Sequence, residues 1–254
     1  AGTHLVVAPS KVSASGFVDG SEHRRELAAV YNQYVFCDTE PGWRPELEGL
    51  QAVLRPLFMT AFLLDDFLAD NDFFGAGQVL LSSASSKTAQ GTAYCLAQRR
   101  DTPGAPRIVG LTSAAHADFV RSLGCHDTVL TYDQLDTLQR QTPTVYVDFA
   151  GSAATRRSVH AHFADALKFS SSVGGTHWRA LGSARDLPGP RPALFFAPAR
   201  AKARSAPPPQ GWGAAELQRR MGQAWAQFIG RVTEHGWVRI VTRPGAQAAL
   251  QAYG

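Results

Sequence analysis

The order of apolar and polar positions divides the chain into two styles. Residues 1–50 carry short apolar stretches broken by Pro, Gly and Ser, and two of them, HLVVAP (4–9) and YNQYVFCD (31–38), are predicted as strands. From about residue 50 helix and strand patterns alternate. LRPLFMTAFLLDDFLAD (54–70) has apolar residues at helical spacing. GQVLLSSAS (77–85) is an apolar strand ending in small polar residues, and KTAQGTAYCLAQRR (87–100) follows as a helix. RIVGLTS (107–113), DTVLTY (127–132), TPTVYVDFAGS (142–152), FSSSVGG (169–175) and PALFFAP (192–198) read as further strands. Helices AAHADFVRSLG (114–124), closed by Gly124, and TRRSVHAHFADAL (155–167) lie between them. Residues 199–212 read as a Pro/Ala/Gly-rich linker. A long amphipathic helix (212–236), a final strand WVRIVTRPG (237–245) and a short helix AQAALQAY (246–253) close the chain.

Strands and helices alternating at this pitch predict a parallel sheet of right-handed βαβ units. The fold class is therefore α/β, a doubly wound (Rossmann) nucleotide-binding architecture. The expected divisions are 1–50, a β-rich segment; 51–198, the nucleotide-binding domain; and 199–254, the linker with the long helix and last strand.

Composition narrows this only a little. The 254 residues are 44% hydrophobic, which excludes intrinsic disorder and a disulfide miniprotein. No apolar run reaches membrane-spanning length, and AGTHLVVAPSK has no secretory pattern. Cys37, Cys95 and Cys125 are odd in number and far apart, so free thiols in a reducing, cytoplasmic setting are expected. The net charge is +4. Its basic residues are scattered, which gives no nucleic-acid footprint and suits an anionic cofactor. The arginine-over-lysine bias and the alanine content are those of a GC-rich bacterial genome.

In a dinucleotide fold the first strand hands over to a helix through a tight turn, and the pyrophosphate rests on the helix N-terminus. That turn is Ser82-Ser83-Ala84-Ser85-Ser86-Lys87-Thr88, without the usual glycines. Small side chains still permit close approach. The hydroxyls of Ser85, Ser86 and Thr88 and the Lys87 ammonium are candidate phosphate contacts, although a serine-rich turn before a helix also serves as a plain N-cap. Ser86-Lys87-Thr88 imitates the end of a Walker A loop but lacks its glycines. G-x-S-x-G and H-E-x-x-H are absent, and His160 and His162 point to different helix faces, so no shared metal is expected. The second strand ends Gly110-Leu111-Thr112-Ser113, with no acid until Asp118. A ribose 2′-hydroxyl has no carboxylate to receive it there, which favours NADP(H), with Thr112, Ser113 and His116 as candidate 2′-phosphate contacts.

The runs RPLFMTAFLLDDFLADNDFFGAGQVLLSSASSKTAQGTAYCL and IVGLTSAAHADFVRSLGCHDTVLTYD resemble the bacterial DUF2855 family. Through it the chain resembles the medium-chain dehydrogenase/reductase superfamily, its quinone and enoyl reductase branch above all. The resemblance covers nearly the whole chain. It implies that residues 1–50 are the last part of a GroES-like catalytic domain, the rest of which is missing, and that residues 199–254 return to that domain. It also implies Thr60 beside the nicotinamide ribose and Ser85, Ser86, Lys87 and Thr88 at the pyrophosphate turn. Tyr132 and His116 fall near the 2′-phosphate, with His116 where some relatives carry a lysine. Asp148-Phe149-Ala150-Gly151 matches a strand end flanking the cofactor, and Val173-Gly174-Gly175 a strand approaching the nicotinamide carboxamide. No zinc-ligand pattern is present. Related reductases pair through an edge strand, so a homodimer through PALFFAP is expected.

Hydride transfer belongs to the cofactor, and the protein supplies orientation and a proton or oxyanion partner. Tyr31 and Tyr34 are candidate donors, with Asn32 a neutral one; strand spacing puts Tyr31 on one face and leaves at least one of the three as packing. Asp65-Asp66 is expected to be solvated or capping, and Cys95 and Cys125 to be structural. Two functions stay open: an NADP(H)-dependent, zinc-independent reductase of a carbonyl or activated C=C, acting on a small molecule; or a non-catalytic NADP(H)-binding sensor or interaction protein.

Overall fold

The computed structural model describes residues 5–39, 43–173 and 186–253. The chain divides into two compact units, Ala1–Val53 with Ile229–Gly254, and Leu54–Phe228.

In the first unit, β1 (Pro9–Ser13), β2 (Gly16–Asp19) and β3 (Gln33–Val35) form an antiparallel sheet in that order. Gly16 is required where β2 crosses β3, because a Cβ there would lie 1.9 Å from the Tyr34 carbonyl oxygen. The strand expected at 4–9 begins only at Pro9. Ala8 instead bonds outside the ladder: its N–H donates to Asp19 Oδ1 (3.2 Å), and its carbonyl accepts from Gly20 N–H (2.7 Å). Of YNQYVFCD, only Gln33–Val35 is strand. Tyr31 and Asn32 belong to the 3-10 turn Ala29–Asn32, and Cys37–Thr39 is another such turn.

The second unit begins within α1 (Glu48–Asp70), which carries Pro56. Then follow β4 (Gln78–Leu81), α2 (Lys87–Ala97), β5 (Arg107–Thr112), α3 (Ala117–Ser122), β6 (Thr128–Thr131), β7 (Thr144–Asp148), α4 (Ala153–Phe163), β8 (Leu167–Ser172), β9 (Ala193–Leu194), α5 (Ala197–Ser205) and α6 (Ala214–His235), the last running on into the first unit. The six strands lie all parallel in the order β6-β5-β4-β7-β8-β9. The chain starts in the middle, winds out to one edge, returns and winds to the other. That is the doubly wound α/β (Rossmann-like) order, with its topological switch between β4 and β7. β4 and β7 are buried at every position, as a sheet covered on both faces requires. Leu80, Val109, Tyr146, Val159 and Phe163 make one core on the α4 side. Rings from α1, α2 and α6 make another, with Phe58 and Phe228 stacked at 4.5 Å.

Three tail expectations change. PALFFAP contributes only the two-residue β9. The first half of the expected linker 199–212 is α5, because its Ala, Arg and Lys residues are good helix formers and the prolines follow the helix at 207–209. Its arginines also have partners. Arg200 Nε and Arg204 Nε donate to Asp66 Oδ2 at 2.6 and 2.9 Å, and both arginines pair with Asp70. Asp65 is likewise buried, held by Arg99 through Nε and Nη2. The Asp65-Asp66 pair is thus neither solvated nor a cap. Residues 237–245 form no strand; Ile240 packs against Gly49 instead, and α7 (Ala246–Tyr253) ends the chain.

No helix among the described residues is long and apolar enough to cross a membrane, and no cluster of His, Cys, Asp or Glu there could hold a metal ion.

Candidate functional site

The carboxyl ends of β4, β5 and β7 meet at the switch point, where open α/β sheets bind ligands. The β4–α2 turn lies there. Ser82 N–H donates to the Val147 carbonyl (3.0 Å) and Ala84 N–H to the Leu111 carbonyl (3.0 Å), so the turn is tied to both neighbouring strands. Ser83 has φ +47°, the left-handed region that favours glycine. Its carbonyl accepts from Ser86 N–H (2.8 Å), which closes the turn. Ser86 is the N-cap of α2 and accepts from Ala89 N–H at 3.4 Å. Lys87 and Thr88 occupy the first two helical positions, whose N–H groups have no intrahelical acceptor. The N-terminal amides and the positive end of the helix dipole therefore coincide at the turn, with the exposed Lys87 at the first helical position.

Two long-range contacts hold the turn. The Tyr132 hydroxyl oxygen accepts from Ser83 N–H at 2.9 Å. Burial pushes the phenol's pKa above its ordinary value, and the nearby Asp148 charge adds to this. The Ser82 hydroxyl donates to Asp148 Oδ1 (3.0 Å) and accepts from the N–H groups of Phe149 and Ala150 (3.1 and 3.2 Å). Gly151 N–H donates to the same carboxylate oxygen at 2.9 Å. Arg156 donates to the other one from Nε and Nη2, at 3.0 and 2.8 Å. Asp148 and Arg156 are both buried, and a buried ion pair of this kind needs its full set of hydrogen bonds.

The remaining residues singled out in the sequence are placed as follows. Thr112 is buried at the end of β5, its hydroxyl 3.5 Å from that of Ser85. The exposed Ser113 and His116 are joined by a 2.9 Å hydrogen bond. Thr60 donates to the Pro56 carbonyl one turn back in α1 (3.3 Å). Val173 follows β8 and donates its N–H to the Asp148 carbonyl at 3.0 Å, whereas Gly174 and Gly175 lie outside the described residues. In the first unit, Asn32 is buried and spent on Arg24, accepting from Nε (3.1 Å) and donating to the Arg24 carbonyl (3.0 Å). The Tyr34 ring stacks on Phe17 with centroids 4.9 Å apart. Tyr31 is 54% exposed.

Three features escaped the sequence reading. Ser171 and Ser172, at the carboxyl end of β8, have buried hydroxyls without a partner among the described residues. His126 has both ring nitrogens buried and unpartnered there as well, and burial with the Arg100 charge lowers its pKa to about 4. Gly110 of β5 makes room for it, since a Cβ would lie 2.8 Å from His126 Cδ2 and 3.1 Å from the Ala84 Cβ. The only available signal for the last was a glycine inside a strand pattern.

The donor set suits a dinucleotide diphosphate: free helix-terminal amides, hydroxyls, one ammonium, and orphaned hydroxyls two strands away. Solved structures resemble the chain at low identity. The YHDH protein of Escherichia coli K-12 with bound NADPH is 13% identical, with TM-score 0.45 over 81% of this chain and 58% of that one. The mitochondrial 2-enoyl thioester reductase heterodimer of Candida tropicalis is 11% identical, with TM-score 0.47 over 88% and 64%. The quinone oxidoreductase of Coxiella burnetii is 13% identical, with TM-score 0.41 over 71% and 49%. The chain spans about half to two thirds of the length of these structures. Comparison with curated proteins gives no match. The family described as "Protein of unknown function (DUF2855)" matches residues 1–254, and the chain belongs to that family.

Proposed function

We propose that the chain is an NADP(H)-dependent, zinc-independent oxidoreductase of the medium-chain type, reducing the carbonyl or activated C=C of an enone, enoyl thioester or quinone-like small molecule. The observation that carries this reading is the β4–α2 turn, which sets the N-terminus of α2 and Lys87 at the switch point of a doubly wound sheet. The amides of Lys87 and Thr88, with the Ser85 and Ser86 hydroxyls, hold the diphosphate. Thr112, Ser113 and His116 receive the 2′-phosphate, because β5 ends without a carboxylate. Thr60, Gly151 and Val173 line the nicotinamide half. The bound cofactor supplies the hydride. Tyr31 donates to the developing enolate or alkoxide, because of the three candidate donors it alone keeps an exposed side chain that is neither stacked nor spent on an arginine. A homodimer forms through the β9 edge, where Leu194 and Phe196 are exposed; light scattering that gives a monomeric mass would refute it.

Titration calorimetry with NADPH and NADH tests the reading. NADPH is expected to bind more tightly; binding of neither overturns the proposal. NADPH oxidation with a panel of enones, enoyl thioesters and quinones then names the substrate class. A second reading, a non-catalytic NADP(H)-binding sensor, is favoured by one observation: Asn32 and Tyr34 are both engaged in packing their own sheet. NADPH binding without turnover on any of the panel supports it.

A further inference from the structure

We infer that Tyr132 is a positioning residue that replaces glycine in the dinucleotide turn: it holds the backbone in shape and does not recognise the cofactor's 2′-phosphate. The inference rests on the dinucleotide reading above. Ser83 is the turn's left-handed residue, and a side chain with a Cβ resists that conformation. Something outside the turn must therefore hold it. Besides the strand contacts of the Ser82 and Ala84 N–H groups, two contacts from distant parts of the chain act on Ser82 and Ser83. Ser82 is tied to Asp148 and to the N–H groups of Phe149 and Ala150. Among the described residues, Ser83 itself bonds only to Ser86 N–H, through its carbonyl, and to the Tyr132 phenol, whose oxygen takes its N–H at 2.9 Å.

The geometry gives Tyr132 a firm base for this. It begins the 3-10 turn Tyr132–Thr137, whose N-cap Thr131 forms a reciprocal pair with Gln134, and Leu135 of that turn is buried in the α4-side core. The phenol thus reaches the turn from an anchored element. The phenol is a neutral acceptor for the amide, and burial moves its pKa further upward. A residue that acts on the diphosphate turn affects every dinucleotide alike. A residue that touches the 2′-phosphate affects NADPH alone.

The experiment measures NADPH and NADH dissociation constants for the unaltered chain, Tyr132→Phe, Ser83→Gly and the double variant, with a melting curve for each. Tyr132→Phe should weaken both cofactors by the same factor, about three- to tenfold, as expected for one neutral hydrogen bond. Ser83→Gly should bind nearly as well as the unaltered chain, because glycine adopts the left-handed turn without help. In the double variant most of the loss should disappear. An unchanged affinity in Tyr132→Phe overturns the inference. So does a loss confined to NADPH, which puts the phenol at the 2′-phosphate, or an equal loss with and without Ser83→Gly. Should the unaltered chain bind neither cofactor, the dinucleotide reading fails. Amide exchange at Ser83, faster in Tyr132→Phe if the clamp exists and unchanged if it does not, then decides the clamp alone.

Discussion

Asp148 and Asp19 are both buried aspartates that face an arginine and a serine hydroxyl, one in each unit of the molecule. Asp148 gathers Ser82, Gly151 and Arg156, from the β4–α2 turn, the loop after β7 and α4. Asp19 gathers Ala8 N–H, Ser21 N–H, the Ser21 hydroxyl and, at 3.6 Å, Arg24. The first network joins chain segments more than sixty residues apart; the second stays within one stretch of seventeen, from Ala8 to Arg24. The parallel-sheet unit therefore uses its polar groups to lock distant elements together, whereas the antiparallel sheet uses them to finish its own turns. The same contrast appears in burial: β4 and β7 are buried throughout, and β1 is exposed at all five positions.

The most direct way to break this comparison is to remove each aspartate. Asp148→Ala leaves Arg156 as an uncompensated buried charge and should destabilise the chain by about 3–5 kcal/mol in urea unfolding. Asp19→Ala should be much milder, since its lost partners are backbone and hydroxyl groups and an Arg24 side chain that water already reaches. Similar losses in the two variants would mean that the two aspartates are equally important to their units.

Tyr31→Phe asks whether the exposed sheet carries chemistry. If Tyr31 is the proton donor, the phenol contributes about 2.7–4 kcal/mol to the transition state, and kcat should fall by about two to three orders of magnitude with little change in NADPH affinity. Full turnover in this variant would leave the first unit without a chemical role among its three candidate residues.

His126 sharpens the comparison from the side of pH. The unfolded imidazole takes its proton near pH 6.5 and the folded one near pH 4, with Arg100 opposing and Asp127 favouring the charge. The folded pKa is the lower of the two, so stability is complete above pH 6.5 and declines as the pH falls toward 4, by at most about 3 kcal/mol. His126→Leu should remove that part of the decline. Parallel pH curves for the two proteins would show that the imidazole titrates freely.

The smallest expected effect is at Lys87. Its side chain is exposed, so water and salt screen its charge. Lys87→Ala should raise the NADPH dissociation constant several-fold at low salt, less at high salt, and leave the melting temperature unchanged. An affinity indifferent to both the substitution and the salt would make Lys87 an ordinary surface residue.

These contrasts also explain what the sequence revealed. β4, β5 and β7 were legible because strands buried on both faces are short apolar runs bounded by turn residues, and helices between them enforce a parallel sheet. The turn at 82–88 was legible from its place after the first such strand. What held it was not, because Tyr132 and Asp148 lie 49 and 66 residues from their partners and no local pattern encodes such pairings. The aspartates at 65 and 66 look solvent-facing as a pair; only the arrival of Arg99, Arg200 and Arg204 makes their burial tolerable. In the first unit the apolar stretches misled for the opposite reason. Leu5 and Val6 are exposed, as are Ile240 and Val241, and no ladder in that sheet takes them up.

The long reach of the turn's supports has a consequence for how the protein is made. The β4–α2 segment is synthesised before its supports: Ser83 cannot find its acceptor until residue 132 has docked, nor Ser82 its carboxylate until β7 has paired. Closing such large loops precedes any gain from the contacts they bring. A nascent chain released after β5 and β6 would therefore contain every residue of the turn but neither the Tyr132 nor the Asp148 contact that holds Ser83 and Ser82. The turn at the switch point of the sheet is accordingly a late product of folding, completed only when the strands beyond β6 have crossed over.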